Sequence, residues 1–295
     1  MINNKNVILW VPAGRQRYME LLIPHLIKNI EYVDEIHLWR NTRNDSDARY
    51  LESLANVHPK IKIREHGRQE YKGKVEYLRF VYPEYKESNT VYIKVDDDVV
   101  YIEPNKLKSF IEFRINNPQY FLVYPMTVNN PFCMWKASRL GIIPNLPSTY
   151  DSWESTIKTV KPKIQRRSEP RLTHYMDEKQ VLCPDFWGNN DNALMFHRQL
   201  IEHGPNKFHM PNWELTNNET VSINFISWLG ESFQEFNGQV DSFEDETWLA
   251  TFYPIYSNKI NCVYGDFVVS HFSYYPQMKF LDSTDLLMSY GKIND

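Results

Sequence analysis

The run VYIKVDDDVVYI, Val91–Ile102, sets three consecutive aspartates inside a β-rich apolar stretch. Val, Tyr and Ile on both sides predict a buried strand. A buried, unpaired carboxylate is costly, so three of them must meet a cation, a set of donors or solvent. In extended chain, residues two apart point the same way, which lets Asp96 and Asp98 share one object while Asp97 faces elsewhere. Paired carboxylates offer oxygen ligation suited to Mg²⁺ or Mn²⁺ carrying a phosphate-bearing substrate. The plainer alternative is a solvated acidic turn ahead of a helix opened by Pro104; the metal reading is preferred.

Three further sets of residues have chemical use. Glu244-Asp245-Glu246 opens a predicted helix over Phe243–Tyr253. The helix dipole and the capping-box-like spacing of Ser242 and Asp245 explain one acidic residue there, but not three. His271, in VVSHFSYYPQ, ends an apolar strand; a lone histidine at such a place is usually a satisfied core residue. Arg15, Trp39, Asn41 and Thr42, with Pro12 and Ala13, lie at early strand ends and can stack on a base and bond ribose and phosphate. Each is also an ordinary surface residue. Among the tryptophans, Trp187 stands beside the polar run Gly188-Asn189-Asn190-Asp191, which cannot be core, and is the choice for a second substrate.

The elements that would position these residues alternate. Strands are predicted at 6–11, Glu35–Arg40, Ile61–Arg64 and the aspartate run. Helices follow at 19–30 (with Pro24 as an expected kink), Ala48–Ala55, Gly73–Tyr82 and Pro104–Ile115. This is the pattern of a mostly parallel α/β sheet with helices on its faces, and ligands of such sheets bind outside the carboxyl ends of the strands. Neither GxGxxG nor GxxxxGK[ST] follows the first strand, which argues against a dinucleotide oxidoreductase or a P-loop NTPase. A strand is expected at Tyr120 (FLVYPM) and another at Asn192–His197, leading into a short helix. A helix is expected within Glu219–Phe236, with Val221, Phe225, Trp228 and Leu229 on one face, and two short strands in 260–272 around a Gly265-Asp266 turn. The stretch Ile142–Gln180, with KPKIQRRSEPR at its centre, reads as a long loop or lid.

At 295 residues the chain has ample length for a core. Its net charge of −4 gives no reason to expect nucleic acid or an anionic membrane as partner. Aromatic residues make up 15%, a surplus that suits either a sugar or nucleotide cleft or the core. Cys133, Cys183 and Cys262 are distant from one another and lack zinc-ligand spacing, which suggests free thiols in a reducing compartment. With no signal-peptide pattern or membrane-length apolar run, a cytoplasmic protein is expected.

Taken in order, Asp96-Asp97-Asp98, Glu244-Asp245-Glu246 and His271 resemble the motifs of the GT-A glycosyltransferases, which use nucleotide sugars. The segments HLWRNT, VSINFISWLG and VVSHFSYYPQ are similar to those of little-characterised GT-A-like proteins. The resemblance implies one GT-A (Rossmann-like) domain over 1–295. Its nucleotide-sugar half would span about 1–118, and its acceptor half about 119–295, with a long loop near 142–180. It implies a Mn²⁺ or Mg²⁺ ion on Asp98 and His271, and Asp96 on metal or ribose. Asp97 would bond ribose or anchor the strand end. It further implies transfer from a nucleoside-diphosphate sugar, UDP favoured, to a carbohydrate hydroxyl, with inversion. Asp245 or its rival Glu246 would then be the base, and Trp187, Asn189, Asn190 and Asp191 would face the acceptor. A sugar-phosphate nucleotidyltransferase shares this half-fold and its Mg²⁺, but normally has a glycine-rich loop of which VPAGRQR is a poor version. A non-catalytic nucleotide- or carbohydrate-binding module is the third reading.

Overall fold

Alternation along β1 (Asn6–Ala13) decides the layers: Leu9 and Val11 join an aliphatic cluster on one face, and Trp10 an aromatic one on the other. The strand β4 (Thr90–Val95) repeats the pattern, with Val91, Ile93 and Val95 on the aliphatic side and Tyr92 on the aromatic side. Lys94 therefore shares the aromatic face. This computed structural model describes residues 1–147, 184–215, 219–240 and 245–294.

The other strands are β2 (Glu35–Arg40), β3 (Ile61–Arg64), β5 (Val99–Ile102), β6 (Tyr120–Val128), β7 (Trp213–Leu215), β8 (Phe225–Leu229) and β9 (Ile260–His271). They form one nine-stranded sheet in the order β3-β2-β1-β4-β8-β6-β9-β5, with β7 also paired to β9. The strands β1, β2, β3, β4, β6 and β9 run one way, and β5, β7 and β8 run against them. The result is a mixed, mostly parallel α/β sheet flanked by helices, in the Rossmann-like layout, and it draws strands from both halves of the chain.

The aliphatic face is covered by α1 (Gln16–Lys28), α2 (Asp45–Leu54) and α3 (Leu107–Asn116), through Met19, Leu22, Leu51 and Phe110. Most of the aromatic surplus is core: Trp10 stacks on Tyr85 at 5.1 Å and Trp228 on Phe233 at 4.4 Å. Such pairs add about 0.5–1.5 kcal/mol beyond their burial.

Several elements differ from expectation. The aspartate run is two strands separated by a turn, β4 and β5, closed by Val99 N–H donating to Asp96 O at 3.1 Å. The helix expected within Glu219–Phe236 is the strand β8, antiparallel to β4, followed by a short helix Gly230–Gln234. All five β8 residues are buried, so no periodicity separates strand from helix, and pairing inside the sheet decides. Asn192–His197 is not a strand but lies within the helix α4 (Asn190–His203). Gly73–Tyr82 forms 3₁₀ turns in place of the expected helix. Residues 260–271 make one strand, not two. Its register against β6 jumps between Tyr264 and Val268, so Gly265 sits at a bulge and not a hairpin turn. A side chain there would place its Cβ 2.0 Å from Met210 O. The basic run of Ile142–Gln180, Ser242, Glu244 and Cys183 lie outside the described residues, while Cys133 and Cys262 are free and buried. Among the described residues no helix is long and apolar enough to cross a membrane.

Candidate active site

The carboxyl ends of β1 and β4 lie side by side, next to the point where β8 reverses the strand direction. The chain turns immediately after Val95, so strand alternation stops at Asp96 and the three aspartates part company. Asp96 accepts from Lys94 Nζ at 2.6 Å and Asn224 Nδ2 at 3.2 Å. Asp97 Oδ2 accepts the backbone N–H groups of Gly14 and Arg15, each at 2.9 Å, and its Oδ1 accepts Arg15 Nε at 3.0 Å. Asp98 Oδ2 lies 2.9 Å from Arg15 Nη2 and 3.3 Å from His271 Nε2. The residues that share an object are thus Asp97 and Asp98, on Arg15, and not Asp96 and Asp98.

His271 reaches Asp98 because it ends β9 in register with Val99, and Phe272 N–H donates to Asp98 O at 2.9 Å. Burial opposes ionisation of Asp98, but His271 and then Arg15 outweigh it and hold the carboxyl well below the usual range. Burial would likewise lower the Arg15 pKa; Asp98 and Asp97 reverse that and raise it.

The acidic helix start joins the same region. Tyr82 OH donates to Asp245 Oδ2 at 2.8 Å, and Ser222 Oγ to Glu246 Oε1 at 3.0 Å. Tyr274 links the two sides, its ring 4.5 Å from His271 and its hydroxyl donating to Asn224 Oδ1 at 2.9 Å. Burial pushes Asp245 upward. It pushes Glu246 up to about 7, aided by the Asp245 charge and opposed by the Ser222 hydrogen bond.

That shift has a sign for stability. Folded Glu246 holds its proton up to about pH 7, whereas the unfolded group loses it near 4.5, so stability falls across that window and levels off above it. Glu246→Gln is expected to match the native chain near pH 4.5 and to exceed it by about 2–3 kcal/mol at pH 8. Urea unfolding at both pH values checks this; equal gains at the two would show that Glu246 is not the titrating group.

A cavity of about 370 Å³ opens at the N-terminal end of α1, lined by Arg15, Gln16, Arg17, Glu20 and Asp47. The Arg15 side chain does not cap α1, but Gln16 N–H at the helix start donates to Asp47 Oδ1 at 3.1 Å, so a carboxylate already meets the positive end of the helix dipole. Arg17 reaches back to Asp282 at 2.9 Å and Tyr18 OH at 2.7 Å.

Other expected site residues lie elsewhere. Trp39 is buried in the aromatic core and donates its indole N–H to Tyr85 OH, so its ring cannot stack on a base in the cleft. Asn41 accepts Gly73 N–H at 2.7 Å, and Thr42 accepts Asn44 N–H at 3.1 Å; both brace the loop ahead of α2. Pro12 and Ala13 end β1 behind Gly14. Asn189 caps α4 by accepting Asn192 N–H at 2.9 Å, and Asn190 and Asp191 open that helix. Trp187 is 37% exposed, 6.4 Å from the Tyr274 ring, and its carbonyl accepts Gln277 Nε2 at 2.9 Å. Lys94, Ser222, Asn224 and Tyr274 escaped the sequence reading. Only Lys94 left a signal there, as the one charge inside an apolar strand two residues before Asp96.

The residues fit a divalent ion that draws most of its shell from phosphate and water, as Mg²⁺ does with one or two carboxylates. Asp98 Oδ1 is buried with no hydrogen-bond partner among the described residues, and His271 Nδ1 is in the same condition. They do not form an all-protein cage: among the described residues there is no group of three or more His, Cys, Asp or Glu placed to hold a metal.

Fold and site together define an α/β protein with a charged cleft at the strand ends. No protein-family model matches the chain, and no curated protein does. Among solved structures, a CMP:2-keto-3-deoxy-manno-octonic acid synthetase complexed with CTP is 10% identical, over 97% of this chain and 99% of that one, with a TM-score of 0.44. The 4-diphosphocytidyl-2C-methyl-D-erythritol synthase of Anaerococcus prevotii is 10% identical over 99% and 100%, at 0.40. A further 4-diphosphocytidyl-2C-methyl-D-erythritol synthase is 12% identical over 40% of this chain, which spans 59% of that one, at 0.31.

The glycosyltransferase expectation is corrected here. The three structures are one synthetase, holding CTP, and two synthases, and no glycosyltransferase stands among them. The UDP-sugar donor and the glycan acceptor belong to that corrected reading. Similarity at these scores hands no activity on to this chain.

Proposed function

We propose that the chain is a nucleotidyltransferase, joining the nucleoside monophosphate part of a nucleoside triphosphate to a sugar or sugar phosphate. An oxygen of the acceptor attacks the α-phosphorus, the bond from that phosphorus to the α,β-bridging oxygen breaks, and pyrophosphate leaves with the electron pair. The observation that supports it most is the cavity at the start of α1, where the guanidinium groups of Arg15 and Arg17 meet beside the buried carboxylates of Asp97 and Asp98. Two guanidinium groups suit a polyphosphate whose charge grows as pyrophosphate departs.

Arg15 and Arg17 would hold the β- and γ-phosphates. Asp98 and His271 would hold a Mg²⁺ or Mn²⁺ ion, which when bound neutralises phosphate charge. Glu246, poised near neutral pH, can take the proton of an attacking hydroxyl; an attacking phosphate needs no base. The glycine-rich loop expected of such enzymes is replaced here in an unusual way. The Gly14 and Arg15 amides that would cradle phosphate are spent on Asp97, which leaves phosphate binding to the arginine side chains.

The test is pyrophosphate release from CTP, UTP, ATP and GTP, each with Mg²⁺ and a panel of sugars and sugar phosphates. At least one nucleotide is expected to release pyrophosphate, and at saturation to stabilise the fold by about 2.7 kcal/mol at a hundred times its Kd. Absence of both release and stabilisation with all four nucleotides would falsify the reading.

A further inference from the structure

Arg15 belongs to two places at once. Its guanidinium bridges Asp97 and Asp98, and the same side chain lines the cavity beside α1. The partners differ in freedom: the Arg15 side chain is 37% exposed and that of Asp98 only 6%, so the arginine can move while the carboxylate stays. The oxygen it holds, Asp98 Oδ2, is also the one nearest His271 Nε2. The guanidinium therefore sits on one oxygen of the carboxylate that a divalent cation would use, the other, Oδ1, being buried and without a hydrogen-bond partner among the described residues.

We propose that Arg15 is a displaceable counter-ion: a polyphosphate entering the cavity beside α1 draws the guanidinium off Asp98, and the freed carboxylate then takes a divalent cation. The inference rests on the polyphosphate reading above and adds a coupling between its two ligands. If the guanidinium also leaves Asp97, Oδ1 of that carboxylate loses its Arg15 donors, but the other partners stay in place. Asp97 keeps its two backbone donors, Gly14 N–H and Arg15 N–H. Asp98 keeps His271 and exchanges one cation for another, and the guanidinium exchanges a carboxylate for phosphate oxygens, which its planar fork matches equally well. Because the coupling is between binding equilibria, it is reciprocal: whatever factor polyphosphate adds to metal affinity, metal adds to polyphosphate affinity.

The test uses the full chain and two probes applied separately, so that chelation in solution plays no part. Mn²⁺ binding is read from the electron paramagnetic resonance signal of the free ion. Binding of inorganic tripolyphosphate is read by calorimetry in the presence of EDTA. Arg15→Gln is expected to tighten Mn²⁺ by roughly tenfold or more, because the resident competitor is gone, and to weaken tripolyphosphate by a similar factor. Arg15→Lys keeps the charge but loses the fork, so it should shift both in the same directions by less; it also serves if Arg15→Gln does not fold.

A structural brace would weaken both ligands or neither. Unchanged or weaker Mn²⁺ binding in the variants therefore overturns the inference. Neither arm involves a nucleotide or turnover, which separates the two failures. Opposite shifts in a protein that releases no pyrophosphate would sustain the counter-ion and remove the nucleotidyltransferase, while turnover without opposite shifts would do the reverse.

Discussion

Replacing Lys94 by methionine is expected to cost the fold about 3–5 kcal/mol, the penalty for stranding a buried charge by removing its partner. Lys94 is 1% exposed and donates to Asp96 Oδ1 at 2.6 Å and to Ile223 O at 3.0 Å. Burial alone would lower its pKa, but Asp96 and then Asp245 reverse this and raise it, with Glu246 contributing as well. One ammonium therefore faces three carboxyl groups, of which Glu246 keeps its proton up to about pH 7. Methionine fills much the same volume, so the loss is electrostatic and not a cavity. The measurement is urea unfolding at pH 7 of Lys94→Met, Asp96→Asn and the double variant. Groups in one network are not additive, so the double variant should recover part of the loss shown by Lys94→Met alone. A loss under about 1 kcal/mol for Lys94→Met would mean that solvent, and not Lys94, balances the carboxylates.

This network also shows where the sequence could be read and where it could not. The parallel half was legible because amphipathic helices separate its short strands β1, β2 and β3, although the helix expected at Gly73–Tyr82 before β4 is a set of 3₁₀ turns. The positions of β2 and β3 agree with the structure to the residue, as Glu35–Arg40 and Ile61–Arg64. The second half was not, since β8 is buried at every position and β9 carries a bulge at Gly265 that looks like a hairpin turn. In the site, the gathering of the aspartate run, Asp245, Glu246 and His271 into one region was implied by the resemblance of their ordered motifs to those of the GT-A proteins, not by any one of them alone. Their pairing was not. A strand period of two assigns Asp96 to Asp98, but the turn after Val95 rotates Asp97 and Asp98 toward Arg15. Arg15 itself was read as a ligand for phosphate, and nothing local marks it as the partner of carboxylates more than eighty positions away. Trp39 fails as a base platform for a related reason: a tryptophan at a strand end looks the same whether it faces the cleft or, as here, donates to Tyr85 inside the core.

Asp98→Asn is expected to remove metal-dependent nucleotide binding while leaving a folded chain. Loss of an outer-shell partner of a metal ligand already costs about 10–100-fold in affinity, so loss of the carboxylate meant to touch the ion should cost at least the upper end of that range. The native geometry also sets the pH signature of the stability change. Because the folded-state pKa of Asp98 is depressed, its ionised form stabilises the fold above the ordinary value of 3.8, and that contribution disappears as pH falls through the lower folded value. The variant should therefore lose stability relative to the native chain at pH 7, where Arg15 and His271 are left facing a neutral amide, and lose less at pH 3. His271→Gln separates the two roles. It removes the nitrogen 3.3 Å from Asp98 Oδ2 but keeps the Arg15–Asp98 pair, so it should weaken Mn²⁺ binding with a smaller loss of stability than Asp98→Asn. Calorimetry of Mn²⁺ with each variant, beside urea unfolding at pH 3 and pH 7, reads both quantities. Native-like Mn²⁺ affinity in Asp98→Asn would move the metal away from the end of β4 and leave Asp98 as the anchor of Arg15 alone.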